Sequence, residues 1–222
     1  VAVAFLIPVS VASGPGPSTP AQAMMKAVAR SNLEQALERL ILEENKEGIR
    51  WLNQVVKRSV RPITKKRAKE LSVRLAGMES RDTVFFWEIF LPVVWTESVF
   101  SNLINDRNLK RHKWSVGYCG LQVDTARTYA KELGYEMPKD RVEAEQWLIQ
   151  HWRSNLEIGY AYLQDLRQEE IGKVAIRVMS AYRTGLTGAR KGRLAITDWM
   201  KTVRQRSLRI GIEVNMKLEI SQ

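Results

Sequence analysis

A mainly α fold ending in a single strand is what the sequence predicts, on three observations. Apolar residues recur every three or four positions through most of the chain, the spacing that gives a helix one buried face. The tail from Leu208 to Ile220 instead alternates strictly between apolar and polar residues, and a period of two marks a half-buried strand. One cysteine in 222 residues excludes an internal disulfide framework, so the fold must stand on its core. With 45% hydrophobic residues the chain can build one.

The chain divides into four stretches. Residues 1–23 open with an apolar run, Val1 to Ala12, followed by a Gly/Pro/Ser-rich patch and Ala21-Gln22-Ala23. The run is too short to span a bilayer, and the small-x-small triplet has the form of a signal-peptidase site. This stretch reads as the truncated remnant of an export signal, with a buried helix or plain anchor as the alternative, and no transmembrane helix is expected. Residues 24–81 read as a helical extension. Leu33, Leu37, Leu40, Ile41, Ile49, Leu52, Val55 and Val56 fall at helical spacing between Lys26 and Ser59, as one long helix or two broken at Gly48. Pro62 opens a second segment in which Ala68, Leu71, Val73, Leu75 and Ala76 continue to Gly77, and Glu79 to Asp82 reads as a linker. No catalytic constellation lies in this stretch, which leaves it a packing or partner-binding role.

Residues 82–195 hold the chemistry. An apolar run from Val84 to Trp95 leads into Glu97, after which the sequence turns polar. Pro92 sits inside that helix and is expected to kink it. A carboxyl group backed by tryptophan and valine is partly desolvated, which disfavours its charged form and suits a general acid near neutral pH. A polar helix end at the surface is the plainer reading of Glu97. Asn102, Asn105, Asp106 and Asn108 favour a loop, and Gly117 and Gly120 allow either a tight turn or close backbone approach to a bulky ligand. Asp124 is expected to cap a helix from Thr125 to Leu133 that stops at Gly134. One long helix is expected from about Arg141 to Arg167, striped by Trp147, Leu148, Trp152, Leu156, Gly159, Tyr162, Leu163 and Leu166. A last helix spans Lys173 to Tyr182. Residues 196–222 are a basic segment and the strand tail, whose unpaired edge needs a partner, an envelope-complex protein or a second copy of the chain.

Four ordered blocks resemble the lytic transglycosylase (SLT domain) family of the lysozyme superfamily. Glu97-Ser98 looks like that family's catalytic Glu-Ser pair. Ser115-Val-Gly117-Tyr118-Cys-Gly120-Leu-Gln122, with Thr125-Ala126 beyond it, is similar to its S-x-G-A-x-G-L-M-Q…TA block, one residue shorter at Gly-Leu-Gln. Asn155 to Leu163 resembles N-I-x-x-G-x-x-Y-L, and Ala181-Tyr182-Arg183-Thr184-Gly185 resembles A-Y-N-A-G, with Arg183 where the family usually has Asn. The resemblance implies a lysozyme-like helical domain that cuts the β-1,4 bond of peptidoglycan glycan strands in the periplasm or cell envelope. It implies Glu97 as the proton carrier, and Ser98, Ser115, Gly117, Tyr118, Gln122 and Tyr182 around the substrate. It implies that Gly159 permits close helix contact and that Asn155 bonds to backbone. No cofactor and no metal are implied.

Two other readings stay open. Gln122-Val123-Asp124 is similar to the Gln-Val-Asp of goose-type lysozymes, which makes Asp124, or else Asp106, a second carboxylate for a hydrolase. The basic surface, the helical extension and the tail fit a non-catalytic peptidoglycan-binding component of an envelope assembly. The net charge of +11 attracts polyanions, but an exported protein meets wall polymers and lipid headgroups first, so nucleic acid is not expected. No metal-ligand spacing or phosphate-cradling glycine loop is present. Cys119 has no neighbouring base in sequence, since His112 and His151 lie far apart, and reads as a packing residue.

Overall fold

The computed structural model describes residues 19–55, 60–103, 114–168, 175, 177–182 and 198–219, and the backbone alone at 21, 55, 199 and 214–219. The mainly α expectation holds. Helix α1 (Pro20–Val55) runs unbroken through Gly48. Its predicted stripe is real: Leu33, Leu37, Leu40, Ile41 and Ile49 are all buried. The break expected at Gly48 is absent because that glycine answers a neighbour instead of a turn. A Cβ there would come within 2.9 Å of Val99 Cβ and collide with its Cγ1.

Helix α2 (Lys65–Glu79) starts at Thr64, whose hydroxyl accepts the Arg67 N–H at 3.2 Å, and lies along α1. The organising helix follows. Asp82 caps α3 (Thr83–Phe85) by accepting the Phe85 N–H at 2.9 Å, a π turn spans Phe86–Phe90, and α4 runs Leu91–Ser98. The widened turn lies directly before Pro92. Pro92 has no N–H for the carbonyl four residues back, and its ring crowds that oxygen. Widening the preceding turn relieves the crowding.

From Phe85 to Trp95 every residue except Glu88 is buried. Such a helix needs cover all round, and α2, α7 and α9 pack against it.

Helix α5 (Val123–Glu132) ends as expected at Gly134, whose φ of 76° lets the Tyr135 N–H reach Ala130 O at 2.7 Å. Its start differs from expectation. Gln122 is the N-cap residue and makes no side-chain cap bond, while Asp124 lies in the first turn. There its carboxylate still complements the helix dipole.

The long helix predicted over 141–167 is two, α6 (Arg141–Gln150) and α7 (Trp152–Gln168), parted by His151 at φ −93° and ψ 53°. His151 stacks on Trp147 with ring centroids 4.5 Å apart, and its N–H still bonds Trp147 O at 2.8 Å. One residue of break barely disturbs the phase of the apolar stripe, which is why periodicity alone missed it.

A helix α8 includes residues 175 and 177–182, and α9 spans Asp198–Glu219. The strand predicted over Leu208 to Ile220 is therefore helical as far as Glu219. The buried face of α9 is Met200, Val203, Ser207 and Gly211, a helical spacing that begins before the alternating window and uses two small residues where the pattern looks for large apolar ones. Gly211 lies against the Trp87 ring, and Ser207 donates to Trp87 O at 2.8 Å. Among the described residues there is no strand, only the isolated bridge between Val116 and Leu121. Leu33 to Ile41, Ala68 to Met78, the Phe85–Trp95 helix, α7 and Met200 with Val203 all join one hydrophobic core. No described helix is long and apolar enough to cross a membrane.

Candidate functional site

Glu97 occupies the last turn of α4 and is half-buried. Immediately after it the backbone turns left-handed twice, at Val99 (φ 48°, ψ 40°) and Phe100 (φ 56°). A β-branched residue in that region is strained, so something must hold it. Val99 N–H bonds Trp95 O at 2.8 Å, Ser101 N–H bonds Ser98 O at 2.8 Å, and the buried Phe100 ring packs on Trp95 at 5.8 Å. The remaining restraint comes from α1. Asn45, wholly buried, donates to Val99 O at 2.8 Å and to Ser101 Oγ at 2.9 Å, and accepts the Ile63 N–H at 2.7 Å.

Facing Glu97 is a tight turn from Val116 to Leu121, closed by Val116 N–H to Leu121 O at 2.9 Å and Leu121 N–H to Val116 O at 3.0 Å. Gly117 and Gly120 both have positive φ, 79° and 59°. Gly120 lies against the acid: a Cβ on it would sit 3.0 Å from Glu97 Cβ and 3.1 Å from Oε2. Gly117 lies against Asn155, whose Cγ such a Cβ would approach to 2.6 Å.

The turn is clamped from behind. Asn155 donates to Val116 O and accepts the Cys119 N–H, both at 3.0 Å. Tyr182 donates its hydroxyl to Cys119 O at 2.5 Å. Cys119 packs against Gly159 of α7, where any side chain would strike its Sγ. Leu103 O accepts the Gly117 N–H at 2.8 Å. With its backbone groups satisfied in this way, the turn is a firm wall for the carboxylate.

Burial pushes the Cys119 thiol far above its ordinary range, with the negative charge of Glu97 adding to it. The same causes raise the Tyr182 hydroxyl, burial first, then Cys119 and Glu97. Both groups therefore stay protonated beside the acid.

Tyr182, expected around the substrate, thus gives its hydroxyl to the turn instead, and the other expected residues are also distributed differently. Ser98 is buried and gives its hydroxyl back to Val94 O at 2.7 Å. Tyr118 is buried edge-on against Trp152, ring centroids 6.0 Å apart, and its hydroxyl is pushed up to about 12 by burial. Ser115 is buried at the start of the turn, whereas Gln122 is exposed at its end. Asp124 is exposed and ion-paired, with Arg141 at 2.6 Å and Arg127 at 3.7 Å. Asp106, Arg183 to Gly185 and His112 lie outside the described residues. The site that is assembled joins Glu97, Gly120, Cys119 and Tyr182, with Asn155 and Gly159 behind them.

Asn45 and Gly48 are what the sequence reading missed. They lie about fifty positions before Glu97 on a helix without catalytic residue types, and no local pattern connects them to it.

A second feature lies along α2. A groove of about 570 Å³ is lined by Arg30, Lys66, Lys69, Arg74 and Arg153 with the single acid Glu70. Among the described residues Lys66 and Lys69 make no ion pair, Glu70 is held by Arg67 at 3.0 Å, and Arg74 is held by Glu157. Lys65, Lys66, Arg67 and Lys69 crowd the positive end of the α2 dipole, which costs stability unless an anion is near.

No protein-family model, curated protein or solved structure matches the chain.

Proposed function

We propose that the chain is a peptidoglycan lytic transglycosylase acting in the periplasm or cell envelope. The observation that carries this reading is the half-buried Glu97 at the end of a largely apolar, buried helix, with its carboxylate laid against a clamped glycine turn. A glycan strand seated there would receive the Glu97 proton on the departing glycosidic oxygen as the C1–O4 bond breaks. The muramyl 6-hydroxyl then attacks C1, and Glu97 takes back the proton of that hydroxyl. No water is consumed, and the product ends are 1,6-anhydromuramyl.

Asp124 favours this route over a two-carboxylate hydrolysis. Its side chain is exposed and engaged by Arg141 and Arg127, where a second acid would have to stand across the scissile bond. Mass spectrometry of digested sacculi tests the choice, because anhydro ends support the transglycosylase and reducing ends the hydrolase.

The basic groove along α2 favours a second reading, a peptidoglycan-binding component without activity. Glu97→Gln separates the two: a catalyst stops clearing purified peptidoglycan while still binding it, whereas a binding component never clears it.

A further inference from the structure

We infer that Asn45 and Gly48 of α1 are positioning residues for Glu97, so that the N-terminal helix is part of the catalytic unit. This rests on the reading of Glu97 as the proton carrier. The left-handed Val99 and Phe100 are two and three residues past the acid. A turn that relaxes toward ordinary dihedrals unwinds the last turn of α4 and swings the carboxylate off Gly120.

Two contacts from α1 oppose that relaxation. Asn45 ties the Val99 carbonyl and the Ser101 hydroxyl to α1 while its own oxygen takes the Ile63 N–H. These partners fix the amide's orientation, since a flipped side chain would set its NH₂ against an N–H and its oxygen against a carbonyl. One helical turn along, Gly48 leaves the space that the Val99 side chain fills; the three nearest atoms a Cβ would meet there all belong to Val99.

Asn53 supplies a matched comparison. On the same helix it bridges Val60 in the same way, donating to Val60 O at 2.9 Å and accepting the Val60 N–H at 2.8 Å. Among the described residues no hydrogen bond joins it to the turn after Glu97. Both asparagines hold the segment between α1 and α2, and only Asn45 also holds that turn.

Gly48→Ala is the sharper test, because it improves helix propensity in α1 while pushing the turn through Val99. It is expected to lower kcat on solubilised glycan strands by about 10- to 100-fold with KM little changed, the scale set by misplacing a catalytic group by an ångström. Adding Val99→Gly removes the colliding side chain and supplies a residue at ease with positive φ. The double variant Gly48→Ala/Val99→Gly is expected to regain most of the lost kcat, which a loss of packing would not do. Asn45→Ala is expected to follow Gly48→Ala, and Asn53→Ala to leave kcat unchanged.

The carboxyl ¹³C titration of Glu97 gives a readout apart from activity. It is expected to shift in Gly48→Ala and to return in the double variant. A wild-type protein inactive on peptidoglycan would contradict the proposed function while leaving this titration to judge the inference. Coincident titrations in wild type and Gly48→Ala, or equal kcat in Asn45→Ala and Asn53→Ala, would overturn it.

Discussion

Gly120 lies directly against Glu97. Its φ of 59° costs an alanine about 1–2 kcal/mol, and the added Cβ would stand 3.1 Å from Oε2. Gly120→Ala is therefore expected to lose activity far beyond its loss of stability, which comparison of the thermal midpoint with peptidoglycan clearing will show. Cys119 gives a chemical check on the same wall. Its thiol is buried and held far above the ordinary range, so it should resist alkylation at pH 8 in the folded protein and react once the chain is unfolded. The two glycines, Glu97 and Tyr182 stand out in the sequence because their residue types are those of a turn and an acid site. Which way each side chain faces does not. Ser98 bonds back into its own helix and Tyr118 faces the core, because a buried hydroxyl takes the nearest acceptor and a large ring takes the nearest apolar space.

At the scale of elements, the buried residues of α1 and α2 fall at the expected helical spacing, except that Val73 is exposed, and the Phe85–Trp95 run is buried as its composition suggests. The failures come where another chain segment decides. Gly48 looks like a helix break and is a seat for Val99; Leu208 to Ile220 alternates like a strand, yet α9 buries Ser207 and Gly211 against Trp87. Deleting residues 198–222 is expected to reduce the helical circular-dichroism signal, and a loss of β signal would contradict the helix. The contact between α7 and the turn is equally specific. Gly159→Ala would drive a methyl group into Cys119, whose Cβ lies 2.6 Å from its ideal position, at a cost of about 1–3 kcal/mol. Denaturant unfolding measures that cost, and an unchanged midpoint would mean that α7 does not approach the turn so closely.

Across the whole molecule, α1 and α9 are joined to the organising helix by charge as well as by core. Glu44 on α1 is buried and pairs with Arg206 on α9, and the Arg206 guanidinium lies 5.2 Å from the Trp95 ring centroid. Desolvation outweighs the pull of that arginine, so the Glu44 carboxyl is raised above its ordinary 4.5. The sign follows from the proton count: the folded state binds this proton more tightly, so the group's contribution is fully present below 4.5 and is lost as pH rises through the raised value. Thermal midpoints across that window are expected to fall more steeply in wild type than in Glu44→Gln, and parallel curves would contradict a raised Glu44. None of this linkage is legible in the sequence, because Glu44, Trp95 and Arg206 come from three distant stretches and no local pattern pairs them.

The central claim is that one carboxyl group, Glu97, moves the proton that cleaves a glycan. Glu97→Gln keeps the size and shape of that side chain and removes its acid. Cleavage of purified peptidoglycan, with product ends identified by mass spectrometry, should fall about 100-fold or more in the variant, while its circular dichroism and thermal midpoint match wild type. Wild-type digests should carry anhydromuramyl ends. A Glu97→Gln protein that still releases them at the wild-type rate would contradict the account.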